Sequence, residues 1–324
     1  MAVLISVVVP VYNGQEFIKT TIQSVIMQSY PHWEMLIIDD GSTDGTKEVV
    51  KGYLEDSRIK YFYQKNRERA AARNQGIHFS SGQYIAFLDA DDAWLPDKLE
   101  VQVDYLKHHP EVRLCFTNYF LIDTGGILTG APRISFTSNN QFDYLLKGNF
   151  IANSTVMIPR DVLDKVGLFD ETLPAFGSED WDMWLRIVRF YSVHFIDKPL
   201  ALYRIHENNT SLDRMCSSAE AVLKKTFSDP NLPANIFRSK EKIYAQIYLG
   251  FSETCLRSNQ KKKAVEYWQR AYRTYPTLLF LTERGIWATL KLLLPYSIIS
   301  NFPKLRLLLQ RGISDYRLKE SKFN

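Results

Sequence analysis

The stretch "GQYIAFLDADD" (residues 82–92) joins an apolar run to three carboxylates within four positions, Asp89, Asp91 and Asp92. The apolar run is typical of a strand that is covered on both faces. Two carboxylates about 5 Å apart repel each other by about 3 kcal/mol at an effective dielectric near 20. A divalent cation that prefers oxygen ligands, such as Mg²⁺ or Mn²⁺, would offset this repulsion. The stretch predicts a buried strand ending at a metal site; aspartates that merely form a turn are the alternative.

Strand patterns recur before residue 82, and helical patterns separate them. "LISVVV" (4–9), "EMLIID" (34–39) and "IKYFYQ" (59–64) are predicted strands, whereas "EFIKTTIQSVIMQ" (16–28) has the apolar spacing of a helix. This alternation predicts an α/β fold, with a mixed, mostly parallel sheet flanked by helices.

In such sheets, ligands bind beyond the carboxyl ends of the strands. That rule selects the four stretches that follow the predicted strands. They are "PVYN" (10–13), "DDGSTDGT" (39–46), "QKNRERAAARN" (64–74) and "DADD" (89–92). We expect all four to line one crevice.

The region from about 110 to 210 has a mixed pattern. "RLCFTNYFLID" (113–123) and "STVMIP" (154–159) are predicted strands, and residues 124–140 a loop or hairpin. "SEDWDMWLRIVRF" (178–190) is a predicted helix, because its tryptophans, Leu185 and Val188 recur at helical spacing. Glu179 and Asp180 stand at its start, where the helix dipole favours carboxylates; ordinary N-terminal charge is the alternative.

Charge and pattern change after residue 214. Residues 1–214 carry 21 Lys and Arg against 28 Asp and Glu, whereas residues 215–324 carry 19 against 8. This difference predicts two modules, residues 1–214 and a basic helical region over 215–324, although an ordinary solvated helical surface would also explain the basic charge. Residues 245–276 have the spacing of a tetratricopeptide helix pair, although an ordinary helical hairpin fits equally well. The positions that match are Tyr248, Phe251, Ser252, Ala264, Trp268, Ala271 and Pro276.

The cysteines and the first residues bear on the cellular compartment. Cys115, Cys216 and Cys255 are odd in number and widely spaced, which indicates a reducing, cytoplasmic environment. The start, "MAVLISVVVPVYNG" (1–14), lacks a basic leader and contains Pro10, so it indicates a buried strand instead of a signal peptide. No apolar run is long enough to predict a membrane-spanning helix.

Several side chains at the strand ends have a functional and a structural interpretation. In an extended chain Asp89 and Asp91 would point to the same side, so that one could hold a ribose and the other a metal. Tyr12 could stack on a base or simply pack. Arg67, Arg69 and Arg73 suit a diphosphate or surface salt bridges, and His206 is a ligand or a packed residue.

Together these motifs resemble the family 2 glycosyltransferases, which are inverting enzymes of the Rossmann-like GT-A fold. The resemblance covers about residues 3–212. The motifs that carry it are, in order, "SVVVPVYN", "IIDDGSTDGT", "RAAARNQGI", "GQYIAFLDADD", "GLFDETL", "EDWDMWLR" and "YRIH". By this resemblance, four residues would hold the base of a nucleotide-diphospho-sugar: Pro10, Val11, Tyr12 and Asp40.

The resemblance also implies the remaining roles. Arg69 and Arg73 would border the ribose and diphosphate. Asp89 and Asp91 would form an Asp-X-Asp pair, with Asp89 on the donor and Asp91 on Mn²⁺ or Mg²⁺. His206 would contact the metal or the diphosphate. Asp180 would be the catalytic base, and Glu179 is the second candidate for that role.

The implied activity is transfer of a sugar, expected to be UDP-linked, to a hydroxyl of a glycan or lipid-linked saccharide. A dinucleotide oxidoreductase is disfavoured because "VYNGQEF" (11–17) replaces its glycine motif, and no P-loop motif is present. A non-catalytic nucleotide-sugar-binding or scaffold protein that uses the helical region is the rival. Nucleic acid is not an expected partner, and the sequence leaves the oligomeric state open.

The basic C-terminal region is predicted to contact the anionic inner face of a membrane. Three features favour this contact: the positive charge, the apolar "IWATLKLLLPYSII" (286–299) and "PKLRLLLQR" (303–311), where bases interrupt leucines. The alternative is that these leucines pack against the catalytic domain or a second subunit.

Overall fold

The structure is a computed structural model of the chain, and it describes residues 3–131, 134, 136, 140–173, 178–206 and 211–293. The chain divides into two compact units, and the boundary along the sequence lies between Val222 and Leu223. The sequence placed this boundary after residue 214. In the structure it lies inside a helix, Leu212–Phe227.

The first unit contains all the described strands. They are β1 (Ile5–Val11), β2 (Trp33–Asp39), β3 (Ile59–Tyr63), β4 (Tyr84–Phe87), β5 (Ala93–Trp94), β6 (Val112–Ile122), β7 (Leu128–Gly130), β8 (Val156–Pro159) and β9 (Ser192–Arg204). Its helices are α1 (Ile18–Ile26), α2 (Thr46–Lys51), α3 (Glu68–Phe79), α4 (Lys98–His108), α5 (Gln141–Leu145), α6 (Val162–Val166) and α7 (Glu179–Val188). A 3-10 helix, Asn153–Thr155, precedes β8.

These strands form one mixed sheet in the order β3-β2-β1-β4-β8-β6-β9-β5, with β7 paired to β6. The first four strands are mutually parallel, as are β6 and β9. Strand β8 runs antiparallel between β4 and β6. The parallel half brings the ends of β1, β2, β3 and β4 to one edge, as the sequence predicted.

Helices cover both faces of the parallel half. Met35 and Ile37 of β2 pack in one core cluster with Ile22 of α1, whereas Leu36 and Ile38 pack with Ala72 of α3. Successive residues of a strand point to opposite faces, so β2 has helices on each side. This explains why all seven residues of β1 and of β2 are buried. The predicted fold class, a mixed sheet with flanking helices and a helical C-terminal region, is confirmed.

The helix α8 (Leu212–Phe227) spans the boundary, and the second unit continues with α9 (Ala234–Arg238), α10 (Lys240–Arg257), α11 (Lys261–Thr274), α12 (Pro276–Leu281) and α13 (Glu283–Leu293). Helices α10 and α11 form a close pair, in which Ser252 Oγ donates to the carbonyl oxygen of Ala264 over 2.8 Å. Ala264 and Ala271 are fully buried. The small residues thus lie where the helices approach, whereas the tetratricopeptide classification stays a prediction.

Of the apolar C-terminal segments, residues 286–299 are described only as far as Leu293, and residues 303–311 lie outside the described part of the chain. No described helix is long and apolar enough to cross a membrane.

Candidate active site

The ends of β1 and β2 are joined at the predicted base-binding position. The backbone N–H of Asp40 donates to the carbonyl oxygen of Val11 over 2.8 Å. Pro10 and Val11 are buried, whereas Tyr12 is 55% exposed. This exposure leaves a face of Tyr12 available for stacking.

The Asp40 carboxylate is buried and organises the loop after β3. It accepts hydrogen bonds from the Gln64 side chain over 2.7 Å and from the backbone N–H of Arg67 over 2.9 Å. Burial raises the pKa of Asp40, although these hydrogen bonds oppose the rise. Asp40 therefore shapes the wall of the crevice.

The loop after β3 also borders a small open cleft. About 360 Å³ of empty space is lined by Arg67, Glu68, Arg69, Ala70, Asp170, Glu171, Leu173 and Glu179. At its rim the Arg67 guanidinium donates to Glu171 over 2.8 Å. Arg69 thus lies beside this cleft, and its place at the ribose and diphosphate stays a prediction.

The chain after β4 is a turn and is not extended, so the condition under which Asp89 and Asp91 would point to the same side is not met. Strand β4 ends at Phe87, and the chain turns so that the backbone N–H of Asp92 donates to the carbonyl oxygen of Asp89 over 3.1 Å. The turn gives each of the three carboxyl groups a different neighbour.

Asp89 faces α3 and the 3-10 helix. Its Oδ1 accepts from Arg73 over 2.7 Å and from the Asn153 side chain over 2.9 Å. Arg73 is 2% exposed and also forms an ion pair with Glu179. Arg73 therefore contacts two protein carboxylates, and its place beside the ribose and diphosphate stays a prediction.

Asp91 faces His206, which follows β9. Asp91 Oδ2 and His206 Nε2 are 2.9 Å apart although 115 positions separate the residues. A carboxylate and an imidazole suit Mn²⁺, and Mg²⁺ is often held by one or two carboxylates together with substrate phosphates. Over the described ranges, no group of three or more His, Cys, Asp or Glu side chains could hold a metal. Asp91 and His206 are two possible protein ligands, so a metal held by them would take its remaining ligands from a phosphate-bearing substrate and water.

Asp92 is the buried member of the three and holds the turn in place. Its Oδ1 accepts from the backbone N–H of Arg204 over 2.9 Å, and its Oδ2 accepts from Ser154 Oγ over 2.5 Å. Burial, followed by the charges of Asp91 and Asp89, raises the pKa of Asp92 well above its ordinary value. The carboxyl group thus links the turn to β9, two residues before His206.

Sequence reasoning missed the residues that support this turn. Ser154 Oγ accepts from the backbone N–H of Asp89 over 3.1 Å, and Arg204 Nε donates to the carbonyl oxygen of Asp91 over 2.8 Å. The sequence pattern places Ser154 only at the start of a predicted strand and gives no role to Asn153. Arg204 stands in the quoted "YRIH" motif, and this proximity to His206 was the available signal.

The first turn of α7 provides the remaining carboxylates. Glu179 is 7% exposed and paired with Arg73, whereas Asp180 is half-buried and accepts a hydrogen bond from the Asn149 side chain over 3.2 Å. Burial, followed by the charge of Glu179, raises the pKa of Asp180 to about 7, although Arg73 opposes the rise. A carboxyl group with this pKa can accept a proton near neutral pH.

The family model for glycosyl transferase family 2 matches residues 6–167, which is half of the chain. The chain belongs to glycosyl transferase family 2. It is a glycosyltransferase, as the sequence motifs predicted. The match contains the first four strand ends, including the Asp89–Asp92 turn.

Curated relatives agree with this family. The chain is 34% identical to a putative teichuronic acid biosynthesis glycosyltransferase, TuaG, of Bacillus subtilis, over 65% of this chain and 82% of the relative. It is 32% identical to WfgD of Escherichia coli, a UDP-Glc:alpha-D-GlcNAc-diphosphoundecaprenol beta-1,3-glucosyltransferase, over 65% of this chain and 81% of the relative. Other relatives are longer, and the chain spans 34% of an uncharacterized glycosyltransferase of Rickettsia felis.

Solved structures share the fold at low sequence identity. Staphylococcus aureus TarS 1-349 in complex with UDP-GlcNAc is 18% identical, with a TM-score of 0.60, over 95% of this chain and 92% of that one. The mannosyltransferase PcManGT of Pyrobaculum calidifontis, in complex with GDP-Man and Mn²⁺, is 17% identical, with a TM-score of 0.60, over 89% and 83% of the two chains. These likenesses agree with the predicted GT-A fold.

The turn generates a stability prediction. Ser154→Ala removes a hydroxyl that contacts Asp89 and Asp92, and it leaves buried polar groups unpaired, so we expect the free energy of unfolding to fall by about 1–3 kcal/mol. Urea denaturation measures the change. Ser217→Ala, at an exposed position of α8, is the control and should change stability by less than about 0.5 kcal/mol. Equal stability of the two variants would contradict a supporting role for Ser154.

Proposed function

We propose that the protein is a metal-assisted, inverting glycosyltransferase that moves a sugar from a UDP-linked donor to a hydroxyl of a glycan or lipid-linked saccharide. The observation that carries the proposal is the Asp91–His206 pair, 2.9 Å apart at the carboxyl edge of the sheet. The intact pair also disfavours a non-catalytic scaffold, since such a protein has no need of this donor set.

Two names among the similar proteins support the choice of substrates. WfgD is named for UDP-Glc and for an acceptor on diphosphoundecaprenol, and TarS has been solved with UDP-GlcNAc. The PcManGT structure contains Mn²⁺ with a nucleotide sugar, which supports a divalent cation here. A role in polysaccharide biosynthesis at the inner face of the membrane follows from an acceptor of this class.

The donor would lie along the crevice described above. Tyr12 would stack on the base beside the backbone of Pro10 and Val11, while Asp40 forms the wall and accepts from the base. Asp89 would accept from a ribose hydroxyl, and Arg69 would border the diphosphate. Asp91 and His206 would hold Mn²⁺ or Mg²⁺, which neutralises charge on the departing diphosphate when bound.

Asp180 would act as the base. It accepts the proton of the acceptor hydroxyl while that oxygen attacks the anomeric carbon on the face opposite the diphosphate. The bond from the anomeric carbon to the diphosphate oxygen breaks, and the single in-line displacement inverts the configuration. Glu179, the substitute base of the sequence analysis, is less suited because its carboxylate is paired with Arg73.

The metal pair can be tested by binding. Asp91→Asn removes one charge from the pair, and we expect the affinity for UDP in the presence of Mn²⁺ to fall at least about tenfold, as loss of a metal-site partner does. Isothermal titration calorimetry with UDP and Mn²⁺ measures this change. Asp104→Asn, at an exposed position of α4, is the control. Unchanged affinity in Asp91→Asn would remove Asp91 from the metal site.

The base can be tested by its pH dependence. Asp180 is active when deprotonated, and its pKa is raised to about 7, so kcat/KM should fall as pH drops below about 7. Asp180→Asn should lower turnover by roughly 10²-fold or more while the affinity for UDP with Mn²⁺ stays within a few-fold. Release of UDP from UDP-glucose and UDP-GlcNAc gives the rates. Near-normal turnover in Asp180→Asn would move the base elsewhere, first to Glu179.

The second unit supports a proposed contact with the membrane on which a lipid-linked acceptor would lie. Helices α11, α12 and α13 expose apolar side chains near basic ones; Leu281 is 78% exposed and Leu293 73% exposed. Each basic residue near an anionic leaflet contributes about 1 kcal/mol.

Co-sedimentation of the full-length protein with anionic phosphatidylglycerol vesicles at low salt should therefore exceed that with neutral phosphatidylcholine vesicles. Protein that stays in the supernatant with both would contradict membrane docking. It would favour the alternative, in which these leucines pack within the protein or against a second subunit.

A further inference from the structure

Arg73 is the most deeply buried charge between the donor side and the base side of the site. It lies in α3 and is 2% exposed. One guanidinium nitrogen donates to Asp89 over 2.7 Å, and the other donates to Glu179. Burial alone would lower the pKa of Arg73, but the charges of Asp89 and Glu179 raise it above its ordinary value. The cation is therefore permanently charged and bound on both sides.

We propose that Arg73 is a positioning residue whose guanidinium fixes the first turn of α7, and with it Asp180, relative to Asp89. This inference rests on the proposed function, because it assigns Asp89 to the donor and Asp180 to the proton transfer. Arg73 connects α3 to the proposed donor-binding residue through its contact with Asp89. It connects α3 to α7 through its contact with Glu179.

The neighbouring residue of α3 supports the same role. Asn74 donates to the carbonyl oxygen of Phe169 over 2.9 Å and accepts from the backbone N–H of Phe169 over 2.9 Å. It also donates to Glu171 over 2.9 Å. Consecutive residues of α3 thus hold both the segment around residues 169–171 and the start of α7.

The start of α7 needs this external support. Its N-terminal flanking residue, Ser178, has a φ of 118° and makes no side-chain capping hydrogen bond. The first turn carries three carboxylates, at Glu179, Asp180 and Asp182. Asp182 is neutralised within the helix by Arg186 over 2.9 Å. Glu179 is neutralised from outside the helix, by Arg73.

Only a guanidinium suits this position. Its planar fork places two nitrogens toward two carboxylates at once, whereas the ammonium of a lysine is a single point charge. Arg73→Lys would therefore keep the charge but lose one of the two contacts. Arg73→Gln would lose the charge as well.

The charges that face Asp180 predict opposite shifts for two variants. Glu179 and Asp89 are the negative groups near Asp180, and Arg73 is the positive one. Without the positive group, Asp180 holds its proton more tightly, so Arg73→Gln should move the acid limb of kcat/KM up by about one pH unit. Glu179→Gln removes a negative neighbour and should lower the pKa of Asp180, so the acid limb of kcat/KM should move to lower pH. These two shifts test whether both charges lie close to Asp180, whereas Arg73→Lys, which keeps the charge but loses a contact, tests positioning.

The experiment compares wild type, Arg73→Lys, Arg73→Gln, Glu179→Gln and Asp180→Asn as full-length proteins. UDP release from UDP-glucose and UDP-GlcNAc gives pH profiles, and calorimetry with UDP and Mn²⁺ gives donor affinity. We expect Arg73→Lys to lower kcat between about ten- and a hundredfold, as a misplaced catalytic group does, with affinity for UDP and Mn²⁺ within threefold or so of wild type. Other contacts also anchor α7, including the one from Trp181 Nε1 to the carbonyl oxygen of Leu145 over 2.9 Å, which favours folded variants.

The outcomes distinguish failure of the role assigned to Arg73 from failure of the proposed function. A loss of affinity of tenfold or more in Arg73→Lys, with an unshifted pH profile, would make Arg73 a donor contact and overturn the inference. If Arg73→Gln fails to fold, Arg73→Lys still decides, and a kcat within about twofold of wild type in that variant overturns the inference. Abolished turnover in Glu179→Gln would make Glu179 the base and overturn it too. A wild type that neither binds UDP with Mn²⁺ nor releases UDP would refute the proposed function itself.

Discussion

The distribution of negative charge at the end of β4 is the constraint on which the rest of the site depends. Asp89, Asp91 and Asp92 lie within four positions, and each has a different partner: the Arg73 guanidinium, the His206 imidazole, and the pair formed by the Ser154 hydroxyl and the Arg204 backbone. The turn after Phe87 makes this separation possible. An extended chain would have left Asp89 and Asp91 side by side.

This separation explains the placement of the surrounding elements. Strand β8 pairs antiparallel with β4 and brings the preceding 3-10 helix, which carries Ser154, under the turn. Strand β9 runs parallel to β6 and delivers Arg204 and His206 to the same edge. Helix α3 lies against β1 and β2 and supplies Arg73. The carboxylates therefore face elements that come from distant parts of the sequence.

The sequence predicted the parts of this arrangement that are local. Continuous apolar runs identified β1, β2 and β4, because strands covered on both faces show no polar alternation. The shared edge of parallel strands then brought the four strand-end stretches together. Long-range pairings could not be predicted from the sequence pattern. Periodicity specifies neither the insertion of β8 between β4 and β6 nor the contact between Arg73 and Glu179. The extended backbone assumed for Asp89 and Asp91 is a turn in the structure, because the buried Asp92 carboxyl group holds the chain to β9.

Asp91 and His206 are proposed to hold a cation that in turn holds the diphosphate of a UDP-sugar. The decisive measurement is a crystal structure of the protein with UDP and Mn²⁺, with the metal located by its anomalous scattering. If the proposed metal site is correct, we expect a metal peak within coordinating distance of Asp91 and His206, with the diphosphate bound to the metal and the uracil near Tyr12. A metal and diphosphate located away from this pair, for example beside Arg67 and Glu171, would contradict it.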